Sequence, residues 1–403
     1  MGFVRFHFHG GLPFLMGRTG VQNLSKMKKD AYSAVIPAAG FGSRMGHLKP
    51  LLPLDGRTAV ERLISIFREN GIEDIYVVVG HRQSEIIRIL ESAGVQIVEN
   101  PWFQEGMFSS IVQGVRRMAS DTDAFFILPA DIPLVRPVTI RLLLSENKKN
   151  PGKIVHPCFQ GKRGHPPLIP GELMDPILKD RSEGGLRSFL EEHRHLAVDL
   201  EVPDRNILFD LDDPEDYREA LSRLPSYDVP TPEECEVLLT RMHPASDLVV
   251  RHSRRVSKVA EVIGNALIQS GVALDPALIR AAALLHDIAK GERNHAEKGA
   301  ALLRRMQFHR VADIVARHTE LPQPEDGEIR EAELLYLADK FVAEERVVSL
   351  EERFRQSKDR VPTNPVAREN IRRRCEAAAS VKRRIEKRLL LSLDELLLPQ
   401  REK

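Results

Sequence analysis

The sequence is poor in cysteine, in aromatic residues and in long hydrophobic runs. Of its 403 residues three are cysteines and 5% are aromatic, and the formal net charge is only +1. Three scattered cysteines argue against a disulfide framework or a zinc knuckle and fit a reducing cytoplasm. No apolar run approaches the roughly 18 residues that span a bilayer, so no membrane partner is expected. The near-neutral charge gives no general reason to expect a nucleic-acid partner.

What remains is an ordinary globular composition, with 42% hydrophobic and 29% charged residues. This length predicts two or three domains. Residues 1–29 contain no continuous apolar core or small-residue cleavage site, so a disordered leader is expected there rather than a signal peptide. A proline-rich stretch at 224–232 is the expected linker. We therefore predict one domain over residues 30–223 and a second over residues 233–395.

A glycine-rich turn near the start of the first domain carries the clearest chemical pattern. The short apolar run Ala34–Ile36 is predicted to be a buried strand, and it leads into a turn with glycines at positions 40, 42 and 46. Glycines let backbone N–H groups approach a phosphate closely. Arg44 within the turn and Lys49 after it would neutralise a triphosphate and the charge that develops during its transfer. The spacing is neither the dinucleotide-binding fingerprint nor a Walker loop.

Predicted strands and helices alternate after this turn. Helices are expected at 58–70 and 85–92, and buried strands at 75–79, 96–98 and 123–128. This alternation predicts an α/β doubly wound fold, Rossmann-like, with a parallel core. Ligands of such sheets bind at the carboxyl ends of the strands. Asp131 follows the last of these strands, where a carboxylate is placed to hold Mg²⁺ against nucleotide phosphates.

The string Ala-Ala-Gly-x-Gly-x-Arg-Met-Gly-x-x-Lys-x-Leu-Leu at 38–52 resembles the signature of sugar- and cofactor-nucleotidyltransferases. Within that superfamily it is most similar to the MobA-like molybdenum cofactor cytidylyltransferases. The resemblance implies transfer of a nucleoside monophosphate from a nucleoside triphosphate to a terminal phosphate, with release of pyrophosphate. Lys49 and Arg44 would be the catalytic cations. The nucleotide contacts that the resemblance implies are Ala38, Ala39, Gly40, Gly42, Ser43 and Ser110.

Later segments resemble further blocks of the same family, in the family's order. The Gly-x-x-Gly-His-Pro stretch at 161–166 implies that Gly164 and His165 contact the acceptor substrate. The closing block at 209–217 contains Asp210 and Asp212, and either is a candidate for the second Mg²⁺ carboxylate beside Asp131. The sequence leaves the choice between these two open.

The base and the acceptor follow from finer features of the resemblance. Ala-Ala-Gly and Lys-Pro-Leu-Leu favour the cytidylyl branch of the family, because the guanylyl branch usually has Ala-Gly-Gly. CTP is therefore expected rather than GTP. The implied acceptor is molybdopterin, with a molybdoenzyme or its chaperone as a further partner. The alternative is another phosphorylated small molecule as acceptor, or use of GTP or another NTP.

Beyond the linker, apolar residues recur at three- and four-residue spacing and predict an all-α bundle. Helices are expected at 233–242, 247–269, 276–290, 295–306, 309–318 and 329–345, and no convincing strand appears. Imidazole and carboxylate groups on separate buried helices are typical of a metal site. The candidate ligands are His252, His286, Asp287 and Asp339.

The order His, His-Asp, Asp resembles the HD phosphohydrolase superfamily, and most closely its dinucleoside-tetraphosphate-cleaving members. The resemblance adds His295 and His318 as ligands of a second metal ion, and it implies a divalent transition metal such as Fe or Mn. Two hypotheses follow. Either this HD domain is a second catalytic unit of a bifunctional enzyme, or it is a non-catalytic nucleotide sensor. An RNA-tailing transferase is not supported, because no Asp-x-Asp pair follows Gly42-Ser43.

Overall fold

The chain forms an α/β region followed by a helical region in a computed structural model, which describes residues 31–40, 45–181, 184–321, 328–359 and 363–401. The expected leader at 1–29 lies outside the described residues. The strands are β1 (Tyr32–Pro37), β2 (Pro53–Leu54), β3 (Arg57–Thr58), β4 (Asp74–Val79), β5 (Gln96–Glu99), β6 (Ala124–Ile127), β7 (Ile154–Phe159), β8 (Lys162–Arg163), β9 (Leu168–Pro170), β10 (Ala197–Glu201), β11 (Val342–Ala343) and β12 (Arg346–Val347).

The helices of the α/β region are α1 (Ala59–Arg68), α2 (Gln83–Leu90), α3 (Met107–Arg117), α4 (Pro137–Lys149), α5 (Met174–Lys179), α6 (Gly185–Glu192) and α7 (Pro214–Arg223). Those of the helical region are α8 (Pro232–Val237), α9 (Asp247–Gln269), α10 (Pro276–Leu285), α11 (His295–Arg305), α12 (His309–Val315), α13 (Glu331–Lys340), α14 (Leu350–Asp359), α15 (Pro365–Leu389), α16 (Leu393–Leu396) and α17 (Leu398–Arg401). Within the described ranges, none of the helices combines the length and the apolar character needed to cross a membrane.

The main sheet has the strand order β10-β7-β9-β6-β1-β4-β5, and β8 pairs with β7 beside this path. Strands β6, β1, β4 and β5 are parallel, which confirms the predicted doubly wound core. The sheet is mixed, because β9 runs antiparallel to both β6 and β7. Strands β7, β9 and β10 were not predicted from the sequence. The loops that follow β1 and β6 leave the same edge of the sheet, since the two strands are parallel neighbours.

Strand β1 is buried on both faces, as expected of a central parallel strand. Ala34 and Ile36 belong to the apolar core that includes α1, whereas Val35 belongs to the core that includes α3. Successive side chains of a strand point to opposite faces, so this short run supports helices on both sides. The sheet is thereby held in the middle of three layers.

The helical region packs around α9, α10 and α13, whose apolar side chains form one large core. Two expectations about its elements were wrong. Helix α10 ends at Leu285 rather than at 290. The expected helix at 329–345 ends at Lys340, and the antiparallel hairpin β11–β12 follows, turning at Glu344 with a φ of 57°.

The two regions share packing. Val138 of α4 belongs to the same apolar core as the helices that follow α8. Arg141, also on α4, donates a hydrogen bond of 2.6 Å to the carbonyl oxygen of Arg305 at the end of α11. Helix α4 therefore contacts the sheet on one side and the helical region on the other.

Candidate functional site

A cavity of about 440 Å³ lies at the carboxyl edge of the sheet, between the ends of β1 and β6. This is where the parallel topology predicts a ligand site. Its lining residues come from five places in the chain: the end of β1, the turn at 49–51, the start of α3, the segment after β6 and the segment before α7. Those among the predicted site residues are Ala38, Ala39, Gly40, Lys49, Ser110, Asp131 and Asp212.

Among the described residues that line this cavity, Lys49 is the one with a positively charged side chain. Its Nζ atom lies 2.8 Å from Oδ1 of Asp212 and 3.6 Å from Oδ2 of Asp131. The backbone also ties the two carboxylate segments together, because the N–H of Leu211 donates to the carbonyl oxygen of Asp131 at 2.8 Å. The three predicted residues Lys49, Asp131 and Asp212 are therefore brought together from positions far apart in the sequence.

Asp210 lies close enough to Asp131 and to His165 for both to act on its carboxyl group. Desolvation raises the pKa of its carboxyl group, and the negative charge of Asp131 raises it further, whereas His165 acts in the opposite direction. Asp212 lines the cavity beside Lys49, so it is the better placed of the two candidates to share a cation with Asp131. The concentration of carboxylate charge around a single lysine is suited to an additional cation with oxygen ligands.

The start of α3 forms the opposite wall of the cavity. Ser110 is buried, and Nδ2 of Asn100 donates hydrogen bonds to Oγ of Ser109 at 2.8 Å and to Oγ of Ser110 at 3.0 Å. Gly106 precedes the helix with a φ of 98°, a backbone conformation that favours glycine.

Sequence analysis missed Asn100. The available signal was an asparagine directly after a strand and before a proline, where a side-chain amide often organises a turn.

A second cavity, of about 1180 Å³, adjoins the first, since Met107 lines both. Its lining includes the predicted acceptor residues Gly164 and His165, together with His156, Trp102 and Phe108. Sequence analysis did not single out His156. It occupies a buried strand, and an isolated histidine in an apolar strand is usually read as part of the core.

Gly164 is required by a close approach of two backbone segments. The N–H of His165 donates to the carbonyl oxygen of Ile207 at 2.9 Å. A Cβ atom at position 164 would lie 2.4 Å from that same oxygen. Glycine therefore allows the chain to pass Ile207 and to present His165 at the wall of the second cavity.

Three predicted residues, Gly42, Ser43 and Arg44, lie outside the described residues. Their assignment to the nucleotide and to the transferred phosphate remains a prediction.

The predicted metal ligands of the helical region converge at one point. Two sets of three residues have ligand atoms within 4.8 Å of one another: His252, His286 and Asp287 form the first, and Asp287, His295 and His318 form the second. Asp287 belongs to both. Its Oδ1 atom lies 3.3 Å from Nε2 of His295 and 3.5 Å from Nε2 of His318.

Asp339 completes the constellation beside the first set. Its Oδ1 atom lies 3.1 Å from Nε2 of His252 and 3.7 Å from Nε2 of His286. Burial opposes the charge of Asp339, but Lys340 and the neighbouring histidines hold the pKa of this carboxyl well below its usual range. All six residues predicted from the sequence therefore lie around a single centre.

The imidazole rings are oriented by the backbone. The Nδ1 atoms of His252, His286 and His318 lie 2.8, 2.8 and 2.7 Å from the carbonyl oxygens of Glu344, Ala283 and Val315. Because a carbonyl oxygen only accepts, Nδ1 is the donor in each pair, and Nε2 is the ring nitrogen that faces the centre. This is the orientation in which protein metal sites hold their histidine ligands.

The centre opens into a cavity of about 680 Å³ with a cationic wall. Lys290 lies 3.0 Å from Asp287, and Lys340 lies 2.6 Å from Asp339. Arg346, which follows the turn at Glu344, lines the same cavity. Arg353 and Arg374 also line it, and sequence analysis missed them because they belong to two later helices. A wall of this charge favours an anionic ligand.

Comparisons with known proteins cover both regions. Residues 34–197 match the family model described as MobA-like NTP transferase domain, and residues 249–344 match the HD domain model. The molybdenum cofactor cytidylyltransferase of Escherichia coli is 28% identical over 197 residues, which are 48% of this chain and 97% of that protein. The bifunctional IPC transferase and DIPP synthase of Rubrobacter xylanophilus is 37% identical over 94 residues, only 22% of either chain. A solved nucleotidyl transferase from Methanothermobacter thermautotroptrophicus is 24% identical, covers 49% of this chain and 99% of its own, and has a TM-score of 0.43.

Proposed function

Since the chain joins a MobA-like NTP transferase domain to an HD domain, we propose that it transfers CMP from CTP to a phosphorylated acceptor and releases pyrophosphate. We propose molybdopterin as that acceptor. The HD domain, in this proposal, hydrolyses a phosphate ester or anhydride. The Ala-Ala-Gly and Lys-Pro-Leu-Leu motifs support CTP, and the similarity to a molybdenum cofactor cytidylyltransferase supports the acceptor.

The observation that carries the transferase proposal is the position of Lys49 between Asp212 and Asp131. Lys49 would pair with the nucleotide phosphates and offset the negative charge that builds up during an in-line displacement. Asp131 and Asp212 offer the carboxylate oxygens that Mg²⁺ prefers, and would hold that ion. When bound, Mg²⁺ supplies a Lewis acid at the transferred phosphate. No residue needs to act as a covalent nucleophile, since the terminal phosphate of the acceptor attacks directly.

The transferase proposal is tested by pyrophosphate release from the full-length protein with Mg²⁺, molybdopterin and each of the four NTPs. We expect turnover selective for CTP that falls by about 100- to 1000-fold in Lys49→Ala. Lys179→Ala is the matched control, because Lys179 lies exposed on α5, where it pairs with the equally exposed Asp175. Release that is equal for all NTPs, or independent of the acceptor, would reject the molybdenum-cofactor assignment.

The HD proposal is supported by the ring nitrogens that face the centre. Nε2 of His286 is fully buried and has no hydrogen-bond partner among the described residues, although it lies 3.4 Å from Asp287 and 3.7 Å from Asp339. A buried ring nitrogen without a hydrogen-bond partner is costly, and a metal ion would satisfy it. The mixture of imidazole and carboxylate suits Fe or Mn. When bound, such ions supply an activated water and charge stabilisation.

Lys290, Lys340 and the arginines of the cavity wall would bind the phosphate groups of the HD substrate. The test is phosphate or nucleotide release from nucleoside triphosphates and diadenosine tetraphosphate, with Mn²⁺ or Fe²⁺ and with a chelator. We expect hydrolysis that depends on the metal ion and is lost with the chelator. Tight nucleotide binding without hydrolysis under both metal conditions would instead support a nucleotide sensor.

A further inference from the structure

His156 is a buried polar side chain in the wall of the larger cavity of the transferase domain, and one of its ring nitrogens makes no hydrogen bond to the described residues. It lies in the centre of β7 and is only 4% exposed. It lines the cavity, and its Nε2 atom has no hydrogen-bond partner within the described residues. Nδ1 of His165, which lines the same cavity, is buried without a partner in the same sense. Two buried ring nitrogens at one wall are costly unless a ligand satisfies them.

The charge state of His156 limits what it recognises. Burial, followed by the positive charge of Arg163, lowers the pKa of its imidazole to about 4, although Asp199 acts in the opposite direction. The imidazole is therefore neutral near pH 7. A neutral ring nitrogen offers a directional hydrogen bond rather than a countercharge, so it is suited to an uncharged polar group and not to a phosphate.

The rest of the cavity supplies complementary surfaces. Trp102 stands at its rim with 50% of its surface exposed, and Phe108 also lines it. An exposed ring such as that of Trp102, beside the half-buried Phe108, favours stacking on a flat partner. The lining also contains Arg116 and Arg187, which favour anionic groups. A ligand that combines a flat ring, uncharged hydrogen-bonding groups and a phosphate would match the aromatic rings, the histidines and the arginines of this cavity.

We propose that His156 is a specificity-determining residue of the acceptor site, and that it hydrogen-bonds the uncharged edge of a planar nitrogen heterocycle in the acceptor. His165 would hydrogen-bond the same ring system from the neighbouring wall. The phosphate of the acceptor would then point through the shared boundary at Met107 towards Lys49. This inference rests on the proposed function, because it takes the larger cavity to be the acceptor site.

The single tryptophan of the chain gives a direct measurement. The sequence contains one tryptophan, Trp102, and it lines this cavity, so intrinsic fluorescence reports on its occupation. The full-length protein is titrated with hydroxymethylpterin, which has the ring but no phosphate, and separately with glycerol phosphate, which has phosphate but no ring. The variants are His156→Leu, which removes the hydrogen bond, and His156→Gln, which keeps a donor and an acceptor. His195→Leu is the control, because His195 is exposed and lies outside the cavity lining.

We expect the Kd for hydroxymethylpterin to rise about tenfold in His156→Leu, to recover in part in His156→Gln, and to stay unchanged in His195→Leu. The Kd for glycerol phosphate should be the same in all four proteins. CTP binding and the unfolding midpoint verify that each variant is folded. If His156→Leu does not fold, the imidazole nitrogen resonances of histidine-labelled wild-type protein replace it, assigned by comparison with His156→Gln. Addition of the ring probe should shift the Nε2 resonance of His156.

Failure of the inference and failure of the proposed function give different results. An equal Kd for the ring probe in wild type and His156→Leu, no binding of the ring probe, or an unmoved Nε2 resonance would each overturn the inference. Absence of CTP-dependent turnover with molybdopterin, together with binding of the ring probe that depends on His156, would reject the proposed acceptor and leave the role of His156 standing.

Discussion

The guanidinium group of Arg136 lies 2.7 Å from the carboxylate of Glu234, and this buried ion pair joins the α/β region to the helical region. Both side chains are almost fully buried. The guanidinium also donates to the carbonyl oxygens of Pro203 and Tyr227, at 3.1 and 3.0 Å. Asp204 accepts a bond of 2.7 Å from the backbone N–H of Arg136. The pair therefore anchors the segments that lead away from Asp131 and towards Asp210.

Glu234→Gln tests this anchor. Burial disfavours the charge of Arg136, and Glu234 and Asp204 outweigh burial and raise its pKa above the usual value. Glu234→Gln removes the nearer carboxylate and leaves the buried guanidinium with Asp204 at 3.9 Å, so we expect the free energy of unfolding to fall by about 3 kcal/mol. Urea unfolding of the full-length protein measures it. Glu233→Gln, one residue earlier and exposed, should change stability by less than about 1 kcal/mol. Equal effects of the two substitutions would contradict the anchor.

Gly40→Ala should weaken CTP binding without unfolding the protein. A Cβ atom at position 40 meets nothing within 4 Å among the described residues, and Gly40 lines the cavity of about 440 Å³ that we propose for the nucleotide. The added methyl group would therefore occupy ligand space, and we expect the KM for CTP to rise about tenfold. Gly164→Ala is the contrasting variant, because its Cβ would collide with the carbonyl oxygen of Ile207. It should lower the free energy of unfolding by about 1–3 kcal/mol. A destabilised Gly40→Ala protein with an unchanged KM would refute this prediction.

Asp287→Asn should lower the metal content more than a substitution that removes a ligand from one site alone. Asp287 belongs to both candidate sets of ligands, so its replacement weakens both. We expect elemental analysis of protein loaded with Mn²⁺ to show a metal content reduced by more than half, and hydrolysis reduced by about 100-fold or more. Asp313→Asn provides the control, because Asp313 is an exposed carboxylate on α12 paired with Arg304. Full metal content in Asp287→Asn would exclude a shared ligand.

The buried His156 predicts a loss of stability in mild acid. Its folded-state pKa of about 4 lies below the ordinary value of 6.5, so the unfolded chain binds the proton more readily. Stability is therefore fully present above a pH of about 6.5 and falls as the pH drops towards 4, by up to about 3 kcal/mol. The measurement is the difference in the free energy of unfolding between wild type and His156→Gln, from a pH of about 7.5 to about 4.5. His195→Gln should follow the wild type, and a constant difference for His156→Gln would contradict the prediction.

The sequence predicted the parts of the molecule that repeat a simple period or a family motif. The parallel strands β1, β4, β5 and β6 are apolar runs, and their order along the chain implies that the ends of neighbouring strands meet. Lys49 and Asp131 therefore come together as the motif implies. The six candidate metal ligands of the helical region stand on a helix or within three residues of the end of one, and these helices pack around a common apolar core.

The missed elements have physical reasons as well. Pro157 interrupts the pattern of β7, and β9 is only three residues long, so neither is recognisable from alternation alone. In the hairpin β11–β12, apolar residues continue the helical spacing of α13, while the turn at Glu344 depends on a positive φ that the sequence does not signal. Asp210 and Asp212 stand two residues apart in one segment, so their spacing does not show which of them faces the cavity. The tertiary position of Lys49, which pairs with Asp212, distinguishes the two.

The ion pair between Arg136 and Glu234 could not be predicted from the sequence. A buried charged residue follows no periodic pattern, and in the sequence it cannot be distinguished from a charged residue on the surface. The proline-rich stretch at 224–232 was predicted to be a linker. In the structure Val229 is 3% exposed, and its carbonyl oxygen accepts from Arg136 at 3.4 Å. The contacts that join the two regions therefore include Val229, which lies in the stretch that composition predicts to be a linker.

This junction also bears on how such a chain evolves. Two domains connected only by a flexible spacer can be exchanged between genes by recombination without loss. Here each half carries one member of a buried charge pair, Arg136 on one side and Glu234 on the other. A crossover in the spacer that brings in a foreign C-terminal half without a matching acid would remove the partner at 2.7 Å and leave the buried guanidinium with Asp204 at 3.9 Å. Selection should therefore act on the two halves together, as one heritable unit.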